Sequence, residues 1–335
     1  MIEYVSKMTI INGVEIDNIY YKTNEIKYAI TNNDPIEEKL NVIIVISNPC
    51  LYAKRYILMR EFVKRFEEEE ENVNLFVVEL IYKGQRFIVT DKENKNHLQI
   101  KTDTPIWHKE NMINLGVKYL LPANYKAFAW IDADLEFEST TWALDTLKLL
   151  NGCKDVVQVF SHCLDMDAQK NNLHIFNSLG YSFCKGKAYK SRTDYWHPGF
   201  AWAMTRKAYE KIGGLYDKGV LGSGDNIMAM AFINKVEYAT VTHYTEDYKN
   251  SMFEYQKKVK HLRIGYTPGV IRHHYHGTKE NRKYCERWQI LVKHAFSPTL
   301  HLTYDEKGIL IPTDAFPEEF KKDIMNYFKE RKEDD

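Results

Sequence analysis

Three short clusters in this chain combine residue types that could do chemistry. The first is Asp132-Ala133-Asp134. Two ionised carboxylates about 4 Å apart repel by roughly 4 kcal/mol at an effective dielectric of 20. A divalent cation turns that repulsion into attraction, and oxygen ligands suit Mg²⁺ or Mn²⁺. The second is Ile271-Arg272-His273-His274-Tyr275-His276-Gly277. In an extended segment His274 and His276 face one way and His273 the other. Imidazoles beside carboxylates make a reasonable Mn²⁺ site; the plain alternative is a surface strand without a ligand role. The third is Gly222-Ser223-Gly224-Asp225-Asn226, which opens an apolar helical pattern. Asp225 can cap that helix, and it can also accept a proton from an incoming hydroxyl.

The elements that must position these residues read as an α/β chain. Asn41–Ile46 is an uninterrupted apolar run, as expected of a buried parallel strand, and Ser47-Asn48-Pro49 forms a turn after it. A helical pattern spans about Tyr52 to Glu70, and Leu75–Leu80 forms a second strand. Between Lys83 and Asp103 a strand and a polar loop are expected. Thr104 and Pro105 read as the N-cap and first position of another helix. Ala127–Ile131 is a third buried strand, and the acidic pair directly follows it. Alternating strands and helices predict one domain on a mostly parallel sheet, which binds ligands at the carboxyl ends of its strands.

Farther along, Val156–Phe160 reads as a strand and residues 163–198 as loop-rich. Ala203–Ile212 and Asn226–Asn234 read as helices, and Leu300–Ile311 as a hairpin. A short amphipathic helix with a charged end begins at Pro317. At the other end, Met8–Ile11 and Val14–Ile16 flank Asn12-Gly13, a strong hairpin signal. The expected organisation is therefore a β appendage over 1–40, a central domain over 41–298, and a hairpin and helix over 299–335.

Charge and composition narrow the classes. The 46 basic and 46 acidic side chains cancel, which argues against a sequence-independent nucleic-acid binder. With 44% hydrophobic and 27% charged residues, the chain can bury a core. Five scattered cysteines lack the short spacing of a zinc knuckle or redox motif. No apolar run reaches bilayer-spanning length and the N-terminus lacks signal-peptide order, so a cytoplasmic location is expected.

Taken in order, Trp107-His-Lys-Glu-Asn-Met-Ile-Asn, Trp130-Ile-Asp-Ala-Asp-Leu and His197-Pro-Gly-Phe-Ala-Trp-Ala resemble the GT-A-fold glycosyltransferases. Gly213-Gly214-Leu215, Gly222-Ser-Gly-Asp225 and His274-Tyr-His276-Gly277 continue the resemblance toward the branch with a galactosyltransferase-like C-terminal signature. It covers about residues 41 to 290 and implies a GT-A (Rossmann-like) α/β domain. The implied activity is transfer of a sugar from a nucleotide-sugar donor, with a UDP-sugar favoured, to a glycan or other hydroxyl-bearing acceptor.

By that resemblance Asp134 binds Mn²⁺ (or Mg²⁺), Asp132 lies near the donor ribose or the metal, and His276 completes the metal site. Spacing does not choose between His276 and His274. Asn48 and Arg55 would line the nucleotide, with Trp107 by the base and Lys109 as a basic neighbour. Trp196, His197 and Gly199 would border donor sugar and acceptor, Gly224 would line the pocket, and Asp225 would be the base of an inverting displacement. The pattern carries two adjacent acids where this chain has Asp225-Asn226, which leaves one candidate base. The rivals are a nucleotidyltransferase acting on sugar phosphates, which would show a Gly- and Lys-rich loop after the first strand, and a non-catalytic carbohydrate- or nucleic-acid-binding protein.

Overall fold

A computed structural model describes residues 8–11, 14–17, 36–189, 196–278, 280–284 and 286–335. β1 (Met8–Ile11) and β2 (Val14–Asp17) form the expected antiparallel hairpin, with Ile11 opposite Val14. Asn12-Gly13, and the break expected at Asn32–Pro35, lie outside the described residues.

The sheet-building part begins with β3 (Leu40–Ser47), α1 (Ala53–Glu69), β4 (Val73–Tyr82) and β5 (His97–Thr102). Then come α2 (Lys109–Tyr119), β6 (Ala127–Ile131), β7 (Leu135–Phe137), α3 (Trp142–Leu150) and β8 (Val156–Gln158). β9 (His162–Met166), β10 (Asn172–Ser178), α4 (Leu179–Cys184), β11 (Trp196–His197) and β12 (Ala201–Thr205) follow. The chain continues through α5 (Arg206–Ile212), α6 (Gly224–Phe232), α7 (Glu246–Val259), β13 (Ile264–Tyr266) and β14 (Val270–His273). It closes with α8 (Trp288–Lys293), α9 (Pro298–His301), β15 (Leu302–Tyr304), β16 (Leu310–Pro312) and α10 (Glu318–Glu330).

Seven strands form the central sheet in the order β13-β8-β12-β6-β3-β4-β5. Every neighbouring pair is parallel except those made by β12, which runs against both β6 and β8. This is the mostly parallel α/β sheet expected. Its strands read as continuous apolar runs because both faces are covered. Along β3, Ile43 joins the core built with α2, α6, α7 and α10, while Val42 and Ile44 join the core built with α1 and α3.

A second, five-stranded sheet has the order β11-β10-β9-β14-β7. The chain crosses from one sheet to the other between Ile131, the end of β6, and Leu135, the start of β7. Asp132 and Asp134 lie in that crossing.

Several local expectations are corrected. Residues 163–198 contain β9, β10, α4 and β11. β10 is exposed along its first four residues, although Leu173 and Ile175 alternate with Asn172 and His174. Ala201–Thr205 is a strand; its Ala and Met residues suit a helix, but pairing with β6 and β8 overrides that preference. The helix expected at Pro105 begins instead at Lys109. Residues before it are committed to tertiary bonds: the Trp107 backbone amide donates to the Val220 carbonyl at 2.9 Å, and Ile106 is buried.

The C-terminal part is packed into the body. Phe320, Ile324, Tyr327 and Phe328 of α10 belong to the same buried core as Ile43 and Met112. Phe320 is fully buried. Phe320→Ala should therefore cost about 3 kcal/mol or more. Urea unfolding checks this, with a lower midpoint at unchanged slope expected; loss of under ~1 kcal/mol would mean that α10 is a dispensable appendage.

Candidate active site

The carboxyl ends of β3 and β6, the starts of α2 and α6, the end of β14 and Arg331 surround one cavity of about 500 Å³. This is the edge at which an α/β sheet binds ligands.

Asp134, His273 and His276 converge on its floor, each offering a ligand atom within 4.8 Å of the others. Nδ1 of His276 lies 3.0 Å from the His274 carbonyl. A carbonyl only accepts, so the ring proton sits on Nδ1 and Nε2 keeps a bare lone pair. That Nε2 faces Asp134 Oδ2 at 3.2 Å. His273 repeats the arrangement: Nδ1 donates to Asp165 Oδ1 at 2.7 Å, and Nε2 stands 3.7 Å from Asp134 Oδ2. Among the described residues, buried Asp134 Oδ1 and His273 Nε2 have no hydrogen-bond partner. Lone pairs pointing at one another in a buried site are costly unless a donor or a positive charge meets them.

The electrostatics differ among the three groups. Burial opposes ionisation of Asp134, but His276, His273 and Arg282 outweigh it and hold its carboxyl well below the usual range. Burial and Arg282 push His276 down to about 3, so it is neutral and available as a ligand. Burial also pulls on His273, but Asp134 and Asp165 together raise it above its ordinary value. Arg282 also donates to His276 Nε2. One carboxylate oxygen and two imidazole nitrogens make a donor set that fits Mn²⁺ or a similar divalent ion, which would take the place of Arg282 at His276 Nε2.

Of the four predicted metal ligands, then, Asp134 and His276 are brought together. Asp132 is ion-paired with Lys109 instead. His274 turns away, with Nε2 3.3 Å from Glu136 Oε2. The alternation rule assumed a strand through His276, but β14 ends at His273.

Asp225 stands at the start of α6, and Oδ1 accepts from the Asn226 amide at 2.7 Å. Two glycines make room for the acids here. A Cβ at Gly199 would press on Asp225 Oδ2, and one at Gly224 would press on the Glu110 carboxyl. Neither glycine lines the cavity; each contributes space. Trp196 is buried, and His197 lies in the lining with its ring stacked on Phe200 at 3.8 Å. Burial works against the Lys109 ammonium, but Asp132 and Asp225 keep its pKa raised.

On the opposite wall, Trp107 carries the Arg331 guanidinium 5.2 Å from its ring centre. Arg55 lines the cavity but is held by Glu333, and its Nη1 donates to the Ser47 carbonyl at 2.7 Å. Asn48 is not among the residues that line the cavity. Its amide closes on the Tyr52 backbone, donating at 2.8 Å and accepting at 2.9 Å.

Sequence reasoning missed Glu110, Asp165, His273, Arg282, Arg287, Arg331 and Glu333. Only the His run and the motif holding Glu110 offered a signal. The tail reads only as an amphipathic helix with a charged end, and Arg331 and Glu333 in that end are buried.

No protein-family model and no curated protein matches the chain. Among solved structures it is similar to the mannosyltransferase PcManGT from Pyrobaculum calidifontis in complex with GDP-Man and Mn²⁺, at 13% identity and TM-score 0.39. That match covers 78% of this chain and 62% of the other, so this chain spans less than two thirds of it. It is also similar to Drosophila β-1,4-galactosyltransferase 7, in complex with manganese, UDP-Gal and xylobiose, at 10% identity and TM-score 0.38. There 82% of this chain and 93% of the other are covered. A third, 4-diphosphocytidyl-2C-methyl-D-erythritol synthase from Anaerococcus prevotii, has 11% identity, 88% and 98% coverage and TM-score 0.30. Among the described residues, no helix is long and apolar enough to cross a membrane.

Glu110 yields a pH prediction. Burial, with repulsion from Asp225 and Asp132, outweighs Lys109 and pushes its pKa up to about 8. The unfolded chain releases this proton near pH 4.5 and the folded chain near 8, so the folded state binds more protons between them. That term therefore lowers stability as pH rises through the window. Glu110→Gln should gain stability relative to the parent from about pH 5 to about pH 8. Thermal melts across that range check it, and a constant difference would contradict it.

Proposed function

We propose that this chain is a glycosyltransferase that passes a sugar from a nucleoside-diphosphate sugar, with a UDP-sugar favoured, to an acceptor hydroxyl. The observation that carries this reading is the set of converging lone pairs of Asp134, His273 and His276 in the cavity that Asp225 also lines. Those three residues would hold Mn²⁺ (or Mg²⁺), whose charge would stabilise the leaving diphosphate. Arg282, Arg287 and Arg331 line the same cavity and suit a polyanion. Trp107 offers an aromatic surface beside them for the base.

Asp225 takes the proton of the acceptor hydroxyl, whose oxygen attacks the anomeric carbon as the bond to the diphosphate breaks. Direct displacement inverts that carbon. Lys109, poised between Asp132 and Asp225, keeps the two acids from repelling one another. His197 borders the acceptor side of the cavity.

Calorimetry with nucleotides, with and without Mn²⁺, followed by a donor-hydrolysis assay, tests the reading. Asp134→Ala should abolish Mn²⁺-dependent nucleotide binding. Asp225→Asn should keep that binding and lose transfer by roughly 10²–10⁴. Equal donor affinity in the parent and Asp134→Ala would sink the assignment.

A further inference from the structure

We propose that Asp165 is a positioning residue of the metal centre, fixing the edge of His273 so that Nε2 is presented toward Asp134. This rests on the metal-binding reading above.

The sheet builds the contact directly. β9 and β14 are parallel neighbours, and their register sets Asp165 beside His273. Asp165 is 3% exposed, so its carboxylate is committed to the interior. The 2.7 Å bond from Nδ1 to Oδ1 determines which ring nitrogen carries the proton. A carboxylate in that role also makes the opposite nitrogen a stronger ligand.

The ring plane is fixed separately. Phe200 stacks on His273 with centroids 4.6 Å apart and planes at 28°. Its other stacking partner is His197, and His197 in turn stacks on Phe176 at 5.0 Å. Phe200 has φ +79°, a left-handed conformation rare for a bulky residue. Its carbonyl accepts from the Asp132 amide at 2.9 Å, so the same backbone strain serves the acidic crossing. With Phe200 holding the plane and Asp165 the edge, His273 has one orientation left. His276 differs: its Nδ1 is held by a backbone carbonyl two residues away, with no carboxylate behind it.

The test compares Asp165→Ala and Asp165→Asn with the parent, each checked for native circular dichroism. Free Mn²⁺ is followed by electron paramagnetic resonance in titrations of protein alone, without nucleotide. The His273 tautomer is read by ¹⁵N NMR on metal-free protein. The parent should show His273 protonated on Nδ1. Asp165→Ala should shift the proton toward Nε2 and weaken Mn²⁺ binding by about 10–100-fold. The near-isosteric Asp165→Asn should keep the fold and recover part of that loss. Asp134→Ala should lose Mn²⁺ with its own His273 proton still on Nδ1. If Asp165→Ala matches the parent in both readouts, the positioning role is overturned while the metal reading stands. A parent without saturable Mn²⁺ binding would overturn both.

Discussion

Asp134, His273 and His276 bring three electron-rich atoms together in a buried place, and that crowding governs the site. Without positive charge between them, the arrangement would be costly. Asp134 reaches this place because it sits where the chain leaves the seven-stranded sheet for the five-stranded one. His273 reaches it because β14 ends there, paired with β7 on one side and β9 on the other. A backbone bond from His274 to the Asp134 carbonyl at 2.8 Å ties the two arrivals together. The candidate metal site is thus a seam between sheets, and its geometry comes from strand register.

Charge is sorted around that seam. Asp132, Glu110 and Asp225 gather around Lys109 on one side. Arginines occupy the other, and their geometry is set from the C-terminal segment. Glu333, almost fully buried, holds both Arg55 and Arg331, and Arg331 in turn covers Trp107. Burying such a network is costly unless every charge is paired, so removing Glu333 would strand two cations. The division suits a ligand with a polyanionic half and a hydroxyl-bearing half.

The buried strands were legible in sequence because a sheet covered on both faces demands unbroken apolar runs, as in Asn41–Ile46 and Ala127–Ile131. The acidic pair was legible for the same reason, since it follows such a strand, and the His run was legible because three of four consecutive residues are histidines. What could not be read depends on partners distant in sequence. Asp132 was expected near the donor ribose or the metal, and its ion pair with Lys109 could not be read from spacing. His274 looked preferable to His273 because alternation was extended past the point where β14 stops. Asp165 sat in a stretch whose exposed strand hid its pairing. Arg331 and Glu333 read only as part of a charged helix end, which carries no mark of what it folds against.

The claim on which the account rests is that a divalent cation sits among Asp134, His273 and His276. Anomalous diffraction from crystals soaked in Mn²⁺ locates such an ion without reference to activity. One strong peak bonded to Asp134 and to Nε2 of both imidazoles is expected. A peak bonded to Asp132 and His274 instead, or no peak at this seam at saturating Mn²⁺, would contradict it.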